Sequence, residues 1–420
     1  MDTKEPKLPE HTSAVLANVR VLDMTRILAG PWCTQTLADM GAEVIKVEKP
    51  VGGDDTRRWG PPFLPDKEGM PTDQAAYFTC CNRNKKSITV DFSRKEGARL
   101  IRELALASDI LVENYKVSGL QPYGLDYETL STLNPRLIYC SVTGFGQTGP
   151  YATRAGYDLL IQAASGMMSI TGEPADRGCA NGSRVGVAIT DIFAGLYAAT
   201  AILGALHERE RTGLGQHIDI GLLDVGMAIL ANQASGYLNT GGVPLRNGNV
   251  HPSLVPYQDF STMDGAVLLA VGNDSQFARF ATVAGRPDWA ADPRFSTGPM
   301  RVKNKEEFLP QVAEAMARKT TGGWIRELEA VGVPCGPVND IAQAFEDPQV
   351  VARGLRIRQP QPADSPVPHV DSVRSPIRYS RSPMNLRSPP PALGQHTDAV
   401  LRAAGITDAD IARLRSEGVC

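Results

Sequence analysis

The feature that most constrains the fold is an alternation of short apolar strands and helices that begins near residue 18. NVRVLDMT has the alternating pattern of a strand, AGPWCTQTLADMGA follows as a helix opened by Gly30 and Pro31, and AEVIKVEKP predicts a second strand. Two strands joined by a helix run in the same direction, because a parallel pair needs a long crossover connection. The first fifty residues therefore predict a βαβ unit and a parallel sheet.

The same alternation continues along the chain. KKSITVDFS predicts a strand, KEGARLIRELALAS an amphipathic helix, and DILVENY another strand. LIYCSVTGFG predicts a further buried strand, and GQHIDIGLLDVGMAIL resumes the strand-to-helix pattern after a long apolar helix. We therefore predict an α/β fold whose large domain is Rossmann-like and doubly wound.

Changes in composition suggest how the domains are divided. A Gly-, Pro- and Asn-rich stretch follows Tyr237, and residues 353–391 form a strap rich in Pro, Arg and Ser. We predict that residues 1–235 form the first part of the large domain and residues 236–345 a smaller α+β domain with linkers. Residues 346–420 are then a returning strap and the C-terminal part of the large domain.

Overall composition excludes several classes of protein. The net charge is −3, which gives no basic field for nucleic acid or an anionic membrane. No uninterrupted apolar run of about 18 residues is present, and the N-terminus lacks the apolar core of a secretory signal. The seven cysteines are irregularly spaced and the six histidines form no ligand pair, so neither a disulfide framework nor a metal site is indicated. We expect a cytoplasmic enzyme.

Asp191 is the first candidate for chemistry. It follows the extended segment GVAIT and begins a strongly apolar helix that runs to Glu210. By position alone it is more often a helix N-cap, a role worth about 1 kcal/mol. The same position favours an ionised carboxylate and suits a nucleophile in covalent acyl transfer. Both interpretations are open at this point.

A second candidate is a glycine-bearing turn, RILAGP, directly after the first strand. Ligands of doubly wound folds bind at this edge of the sheet, although the Gly-x-Gly-x-x-Gly fingerprint of dinucleotide sites is missing. Basic residues follow or precede several strands, and one such residue alone is usually a solvated surface charge. Together they favour a polyanionic ligand such as coenzyme A. They are Lys49, Arg83, Lys85, Lys86 and Lys116.

Taken in order, the motifs resemble those of the class III coenzyme A transferases, the CaiB/BaiF family. The segments that carry the resemblance run from about Asn18 to LGQHTDAVL and cover nearly the whole chain. They are VLDMTRILAGPWCTQTLADMGAEVIKVEKPVGGDDTR, NRNKKSITVDF, LVENYKVSGL, NPRLIYCSVTGFGQTGPY, AGYDLLIQAASGMMSITGEP, AITDIFAGLYAATAILGALHERERTGLGQHIDIGLLD and NGNVHPSLVPYQDF.

The resemblance implies a function, a site and an assembly. The family moves CoA between carboxylic acids, so the partners would be an acyl-CoA and a small carboxylic acid, with no tightly bound cofactor and no metal. Family members form homodimers whose chains are threaded as interlocked rings. The family's nucleophile falls on Asp191. Its CoA contacts fall on Ile27, Leu28, Ala29, Lys49, Asn82, Arg83, Asn84, Lys85, Asn114, Tyr115 and Lys116.

Some positions depart from the formyl-CoA transferase pattern. Leu28 stands where a glutamine assists oxalate, Phe145 where a tyrosine lies, and Pro122 where a basic residue contacts CoA. RNGNVHPS replaces a run of glycines. The C-terminal half is more similar to the branch that uses succinyl-CoA and dicarboxylates such as glutarate. The distal carboxylate of such an acid could be bound by Arg57, Arg184, Arg246, Asn249 or His251.

Two other functions remain open from the sequence. An α-methylacyl-CoA racemase would pair Asp191 with a histidine, but AGYDLL places Tyr157 there. A phenol with an ordinary pKa of about 10 is a poor proton shuttle at neutral pH. The third alternative is a non-catalytic, nucleotide-binding Rossmann protein.

Overall fold

A computed structural model describes residues 14–178, 180–384 and 386–420 of the chain. The chain divides into two compact units. The larger unit contains the described residues up to 165, residues 185–234 and residues 351–420; the smaller contains residues 166–184 and 235–350. The divisions near 235 and 350 lie close to the predicted ones. The prediction had placed residues 166–184 in the large domain, whereas they cluster with the smaller unit.

The strands are short, and most of those in the first half of the chain are buried. In chain order they are β1 Arg20–Asp23, β2 Glu43–Glu48, β3 Phe63–Pro65, β4 Pro71–Ala75, β5 Lys85–Thr89, β6 Ile110–Glu113, β7 Ile138–Thr143, β8 His217–Gly221, β9 Tyr257–Ser261, β10 Ala266–Ala270, β11 Cys335–Pro337, β12 Arg356–Pro360 and β13 His369–Val373.

The helices range from single turns to one of 24 residues. In chain order they are α1 Ala29–Asp39, α2 Ala76–Thr79, α3 Lys95–Leu106, α4 Tyr127–Leu133, α5 Asp158–Ala164, α6 Met167–Ile170, α7 Ile189–Thr212, α8 Leu222–Ala228, α9 Ala231–Thr240, α10 Asp274–Val283, α11 Asp288–Ala291, α12 Gly298–Lys303, α13 Lys305–Met316, α14 Thr321–Ala330, α15 Ile341–Glu346, α16 Pro348–Ala352, α17 Thr397–Ala403 and α18 Asp408–Ser416, with 3-10 turns at Asp55–Arg58 and Gln121–Tyr123.

The larger unit is built on a six-stranded sheet in the order β5-β2-β1-β6-β7-β8. Every neighbouring pair in it is parallel. Numbered among themselves, these strands follow the Rossmann order 3-2-1-4-5-6, in which the direction of winding changes beside the first strand. The predicted doubly wound sheet is therefore confirmed.

The two faces of this sheet are covered by different helices. Side chains such as Val21 and Val44 point to one face and pack in a core with α1 and α7. Their neighbours Leu22 and Ile45 point to the other face and pack in a core with α3 and α4. Because successive side chains of a strand alternate between faces, a strand buried on both sides reads as a continuous apolar run.

Helix α7 is apolar because it belongs to this core. Within the described residues it is the one helix that is long and apolar enough to cross a membrane, which corrects the expectation that no segment qualifies. A core helix meets the same criteria, and Ala194, Ala198 and Ile202 of α7 are buried against the sheet. A Cβ at Gly195 would lie 2.6 Å from the Ala29 carbonyl oxygen, so glycine allows α7 to pack closely on α1.

The returning C-terminal segment covers the edge of the sheet formed by β5. The Asn84 amide donates to the Ser388 carbonyl, and the His396 amide donates to the Ser87 carbonyl. The predicted strap is also more regular than its composition indicates, because β12 and β13 pair as an antiparallel hairpin. An otherwise open sheet edge is thereby occupied by the chain itself.

The smaller unit has the predicted α+β character. Its antiparallel sheet has the order β11-β10-β9, and helices surround it. Aromatic side chains fill its separate core, among them Phe277, Trp289, Phe308 and Trp324.

Candidate active site

A cleft of about 400 Å³ opens in the larger unit at the carboxyl edge of the parallel sheet. It lies between the segments that follow β1 and β6, where the winding of the sheet reverses and where ligands of this architecture bind. The cleft brings together seven of the residues predicted to form the site. They are Ile27, Leu28, Ala29, Asn114, Tyr115, Lys116 and Asp191.

Asp191 lies in the first turn of α7 and is not its N-cap. The helix begins at Ile189, and its N-cap residue, Ala188, contributes no side-chain hydrogen bond. The Asp158 carboxylate of α5 takes that role, accepting hydrogen bonds from the Thr190 amide at 2.9 Å and the Thr190 hydroxyl at 2.7 Å. The interpretation of Asp191 as a cap is therefore wrong, and its carboxylate is left free to face the cleft.

The environment of Asp191 does not favour its charge. Burial, followed by the charge of Asp158, raises the pKa of Asp191 to about 7. Sequence reasoning had expected the helix N-terminus to keep this carboxyl ionised, but desolvation can outweigh a helix dipole. A carboxylate that titrates near neutral pH is typical of an active site.

The turn opposite Asp191 contains a strained residue. Ile27 has φ of 71°, a left-handed conformation that is unusual for a β-branched residue. Such a conformation costs on the order of 1–3 kcal/mol and persists only where the surroundings enforce it. Gly30 follows, and a Cβ there would lie 2.3 Å from the Thr25 side chain. The turn therefore has little freedom to change shape.

Buried side chains hold the backbone of this turn. The Ile27 amide donates to both carboxylate oxygens of Asp54, each at 3.3 Å. Lys46 binds Asp54 at 2.9 Å and also donates to the Thr25 carbonyl at 2.8 Å.

A second support of the turn comes from the loop after β6. The Asn114 side chain accepts from the Arg26 amide at 2.9 Å and donates to the Arg26 carbonyl at 2.7 Å. Sequence reasoning missed Asp54 and Lys46, although both lie within the motif AEVIKVEKPVGGDD.

Asn114 lines the cleft, and its side chain also has a structural role; its contact with CoA stays a prediction. Its amide group is occupied by the backbone of Arg26, so it braces the turn on which the predicted contacts Ile27 and Leu28 lie. The next residue, Tyr115, is fixed in turn by its amide, which donates to Glu113 at 2.7 Å. The loop after β6 and the turn after β1 are consequently joined as one wall of the cleft.

The four predicted CoA contacts in NRNK have buried side chains that bind other protein groups, so the structure does not support direct side-chain contact with CoA. The Lys85 ammonium pairs with Asp23 at 3.0 Å and donates to the Asn82 side chain at 2.9 Å. Arg83 pairs with Asp39, and the Asn84 side chain donates to Asp39 at 2.8 Å. The family resemblance had implied these four contacts, and the charge of Arg83 and Lys85 had favoured them. Burial of a charged group requires a partner, however, and here the protein supplies it.

Cationic side chains nevertheless surround the cleft. Lys116 is exposed, and Arg154 lies over the ring of Tyr151 at 3.8 Å. Arg26 pairs with Asp55 at 3.1 Å. Lys49 is exposed and lines a small neighbouring depression that shares Arg26 and Tyr115 with the cleft wall. Sequence reasoning found Lys49 and Lys116 but missed Arg26 and Arg154.

Most of the residues considered for a distal carboxylate have other partners. Arg57 forms a two-pronged ion pair with Glu48, at 2.7 Å to each oxygen. Arg246 donates to the carbonyls of Glu173 and Ala180, and Asn249 donates to Asp259 at 2.9 Å.

The other two candidates differ from each other. The His251 ring accepts from the Ser253 amide at 3.1 Å, whereas Arg184 is exposed.

Tyr157 lies in the cleft, with 64% of its surface exposed. Among the described residues, no histidine lines the cleft beside it. Within residues 14–178, 180–384 and 386–420, no group of three or more His, Cys, Asp or Glu side chains is arranged to hold a metal ion.

A Rossmann-ordered sheet with a carboxyl group of raised pKa in its switch-point cleft, and cations around that cleft, is a site suited to an anionic substrate. The model of CoA-transferase family III matches residues 16–397. The chain belongs to this family, and it is an acyl-CoA:carboxylate CoA-transferase. The racemase and the non-catalytic alternatives are not retained.

Named relatives agree with this assignment. The chain is 48% identical over 386 residues to succinate–glutarate CoA-transferase of Agrobacterium fabrum, covering 92% of this chain and 94% of the relative. It is 41% identical to human succinyl-CoA:glutarate CoA-transferase, covering 99% and 92%. It is 35% identical to succinyl-CoA–D-citramalate CoA-transferase of Chloroflexus aurantiacus, covering 100% of both.

Solved structures show the same fold. A CAIB/BAIF family protein from Brucella suis is 47% identical with a TM-score of 0.82, covering 94% of this chain and all of that one. The orthorhombic form of Rv3272 from Mycobacterium tuberculosis is 29% identical with a TM-score of 0.79, covering 92% and 99%.

Proposed function

We propose that this enzyme transfers CoA from succinyl-CoA or a similar donor to a free dicarboxylic acid, with Asp191 as the covalent nucleophile. The observation that carries the proposal is the placement of Asp191 in the switch-point cleft, without a capping role and beside the turn Ile27–Ala29. The relatives named above act on succinyl-CoA, succinate, glutarate and D-citramalate, which supports the choice of donor and acceptor.

The exchange proceeds through two covalent states. A carboxylate oxygen of Asp191 attacks the donor thioester carbonyl, the carbon–sulfur bond breaks, and CoA leaves as thiolate from a mixed anhydride. The thiolate then attacks the Asp191 carbonyl and expels the donor acid, which leaves an aspartyl-CoA thioester. The acceptor carboxylate reverses both steps. Each covalent intermediate replaces one difficult step with two easier ones.

The turn after β1 is suited to stabilising the negative charge that develops in these steps. The amides of Leu28, Ala29 and Gly30 have no hydrogen-bond partner among the described residues, as is usual at a helix N-terminus. Leu28 and Ala29 line the cleft together with Asp191. Fixed amides in a partly desolvated cleft stabilise an oxyanion without reorganisation.

CoA phosphates would meet the cations around the cleft. Lys49 and Lys116 are exposed there, and Arg154 is held by its contact with Tyr151. Charge-assisted contacts to phosphate are stronger than neutral hydrogen bonds. Lys85 is not part of this proposal, because its ammonium is buried and paired with Asp23.

Trapping the enzyme during turnover tests the nucleophile. With succinyl-CoA present, intact-mass analysis should show a CoA adduct, and hydroxylamine cleavage followed by peptide mapping should place it on Asp191. Unmodified Asp191 in an enzyme that is turning over would refute the mechanism.

A panel of acceptor acids tests the substrate class. Succinyl-CoA is incubated with C4 to C6 dicarboxylates and with monocarboxylates of matched length, and the acyl-CoA products are identified by mass spectrometry. Dicarboxylates should be the better acceptors. Equal or faster transfer to the monocarboxylates would contradict the proposed acceptor while leaving the CoA-transferase class intact.

A further inference from the structure

The backbone of the turn after β1 is held by hydrogen bonds on almost every polar group. The Thr25 carbonyl binds Lys46, the amide and carbonyl of Arg26 bind Asn114, and the Leu28 carbonyl accepts from the Trp32 amide at 2.7 Å. The Ile27 carbonyl accepts from the Cys81 thiol at 3.6 Å. From Thr25 to Leu28, the Leu28 amide is the one backbone polar group without a partner among the described residues, and the bonds on the others restrict the turn to one conformation.

Asp54 contributes the contact that opposes the strain in this turn. Its carboxylate binds the amide of Ile27, the residue with φ of 71°. Asp54 is itself immobile, because its side chain accepts from the Thr56 amide at 3.0 Å and the Thr56 hydroxyl at 2.7 Å. Lys46 supplies the balancing charge, and both side chains of this pair are completely buried.

Burying this ion pair costs desolvation free energy, since two charges must be removed from water. Neither side chain lines the cleft, and although both lie at the small depression lined by Lys49, they are completely buried and cannot bind substrate directly. Their contacts are instead directed at the turn: Asp54 to the Ile27 amide and Lys46 to the Thr25 carbonyl. Both contacts meet the strained turn that contains Ile27, whereas a pair that only stabilised the fold could lie anywhere in the core.

We propose that Asp54, with Lys46 as its counter-ion, is a positioning residue for CoA transfer: it holds Ile27 in the left-handed conformation so that the Leu28 and Ala29 amides are presented to the reacting groups beside Asp191. The inference rests on the proposed function only in taking this cleft as the place of exchange. A small displacement of aligned catalytic groups can reduce a rate by about a hundredfold.

The test replaces the pair without leaving a buried charge. The double variant Lys46→Met with Asp54→Leu should fold and should lower kcat by about 10- to 100-fold, with a smaller effect on KM for succinyl-CoA. Adding Ile27→Gly to that variant should recover most of the lost kcat, because glycine adopts this conformation without help. The same loss with and without Ile27→Gly, or an undiminished kcat in the double variant, would overturn the proposal.

A matched control uses an ion pair at the amino ends of the strands, on the side of the sheet away from the cleft. Asp109 precedes β6 and pairs with Arg209 at 2.9 Å. Asp109→Asn should lower stability with kcat unchanged, and Ile27→Gly should give no recovery there. If Asp109→Asn lowered kcat as much as the double variant, general destabilisation would explain the loss and the positioning role would be excluded.

Hydrogen exchange in the unaltered enzyme gives an independent readout if the double variant does not fold. The Arg26 and Ile27 amides should exchange slowly, like those of the sheet, in fragmentation mass spectrometry. Exchange at the rate of an open loop would overturn the proposal. This measurement requires no turnover, so it also separates a failure of the positioning role from a failure of the acyl-transfer assay.

Discussion

The ionised form of Asp191 is the form needed for attack on a thioester, but it lowers the stability of the folded protein. Burial and the Asp158 charge raise the pKa of its carboxyl group to about 7, so the folded protein binds a proton there more tightly than the unfolded chain does. Below about pH 4 the carboxyl group is protonated in both states and does not change the free energy of unfolding. As the pH rises from 4 to 7 the unfolded chain ionises first, so the free energy of unfolding falls, and above pH 7 this loss is complete. As the proposed nucleophile, Asp191 is therefore kept in its ionised form above pH 7 at the expense of folding free energy.

Asp191→Asn removes this penalty together with the nucleophile. At pH 8 we expect the variant to be more stable by about 1–3 kcal/mol, after allowance for solvent screening of a partly buried group, with the difference vanishing near pH 4. CoA transfer should fall by at least about a thousandfold. Urea unfolding at both pH values and steady-state assays measure the two effects.

Asp224→Asn is the matched control, because Asp224 occupies the third position of α8 as Asp191 does that of α7 but is exposed. It should leave the rate of CoA transfer unchanged and alter the free energy of unfolding at pH 8 by no more than about 0.5 kcal/mol. An Asp191→Asn variant less stable than the unaltered enzyme at pH 8 would contradict the assigned direction of the pKa.

The pH profile of the reaction follows from the same carboxyl group. Because only the ionised form attacks, kcat/KM for succinyl-CoA should be level above pH 7 and fall about tenfold per pH unit below it. Asp158→Asn removes the second cause of the raised pKa, so its acidic limb should lie at lower pH. A profile that is flat from pH 5 to 8, or a limb that moves upward in Asp158→Asn, would show that another group controls the rate.

At the scale of elements, the edge strand β5 depends on a segment some 300 residues later in the chain. Asn84 accepts from the amides of Arg387 and Ser388 at 2.7 Å and 3.0 Å, and the Thr397 hydroxyl accepts from the Thr89 amide at 3.0 Å. The Arg387 guanidinium reaches the carbonyls at the end of α1: Ala38 and Ala42 at 2.8 Å and Gly41 at 3.1 Å. A cation at a helix C-terminus satisfies carbonyls that have no partner within the helix.

Arg387→Ala should therefore lower the free energy of unfolding by about 1–2 kcal/mol, since several charge-assisted hydrogen bonds are lost at a partly exposed site. Urea denaturation measures the change. Arg381→Ala is the comparison, because Arg381 is exposed and has no hydrogen bond or ion pair to any described residue. Equal effects of the two substitutions would show that the returning segment is not anchored at α1.

At the scale of the molecule, α7 carries an exposed apolar stripe opposite its buried face. Phe193, Leu196 and Tyr197 are 37%, 40% and 43% exposed, and their spacing places them on one side of the helix. Exposed apolar side chains grouped on one side of a helix are a candidate interaction surface. We propose that a second copy of the chain covers it, in the interlocked homodimer that the family resemblance implies.

Light scattering should then give twice the chain mass of 45.1 kDa. Mixed dimers of tagged and untagged protein should form very slowly under native conditions, because interlocked chains separate only after a domain unfolds. Phe193→Ser would weaken assembly if α7 forms the interface. A monomer would refute the dimer, and mixed dimers within minutes would refute the interlocked arrangement alone.

The sequence by itself determined the parallel sheet, its helices and the α+β character of the smaller unit, and it singled out Asp191 as the candidate nucleophile. These follow from local patterns: the period of apolar side chains, glycine-bearing turns at strand ends, and an Asp at the start of an apolar helix. The family motifs added the chemistry. Element boundaries shifted by a few residues, and the helix of Asp191 begins two residues earlier than expected.

Only the tertiary structure decided what surrounds those residues. Asp158 became the cap of α7, Asp54 and Lys46 became the support of Ile27, and Lys85 became a buried partner of Asp23. Three of these contacts join residues that are well separated in the sequence: Asp158 with Thr190, Asp54 with Ile27, and Lys85 with Asp23. Local patterns report which residues prefer burial or charge, whereas a pKa and an ion pair depend on which groups the completed fold places within a few ångströms.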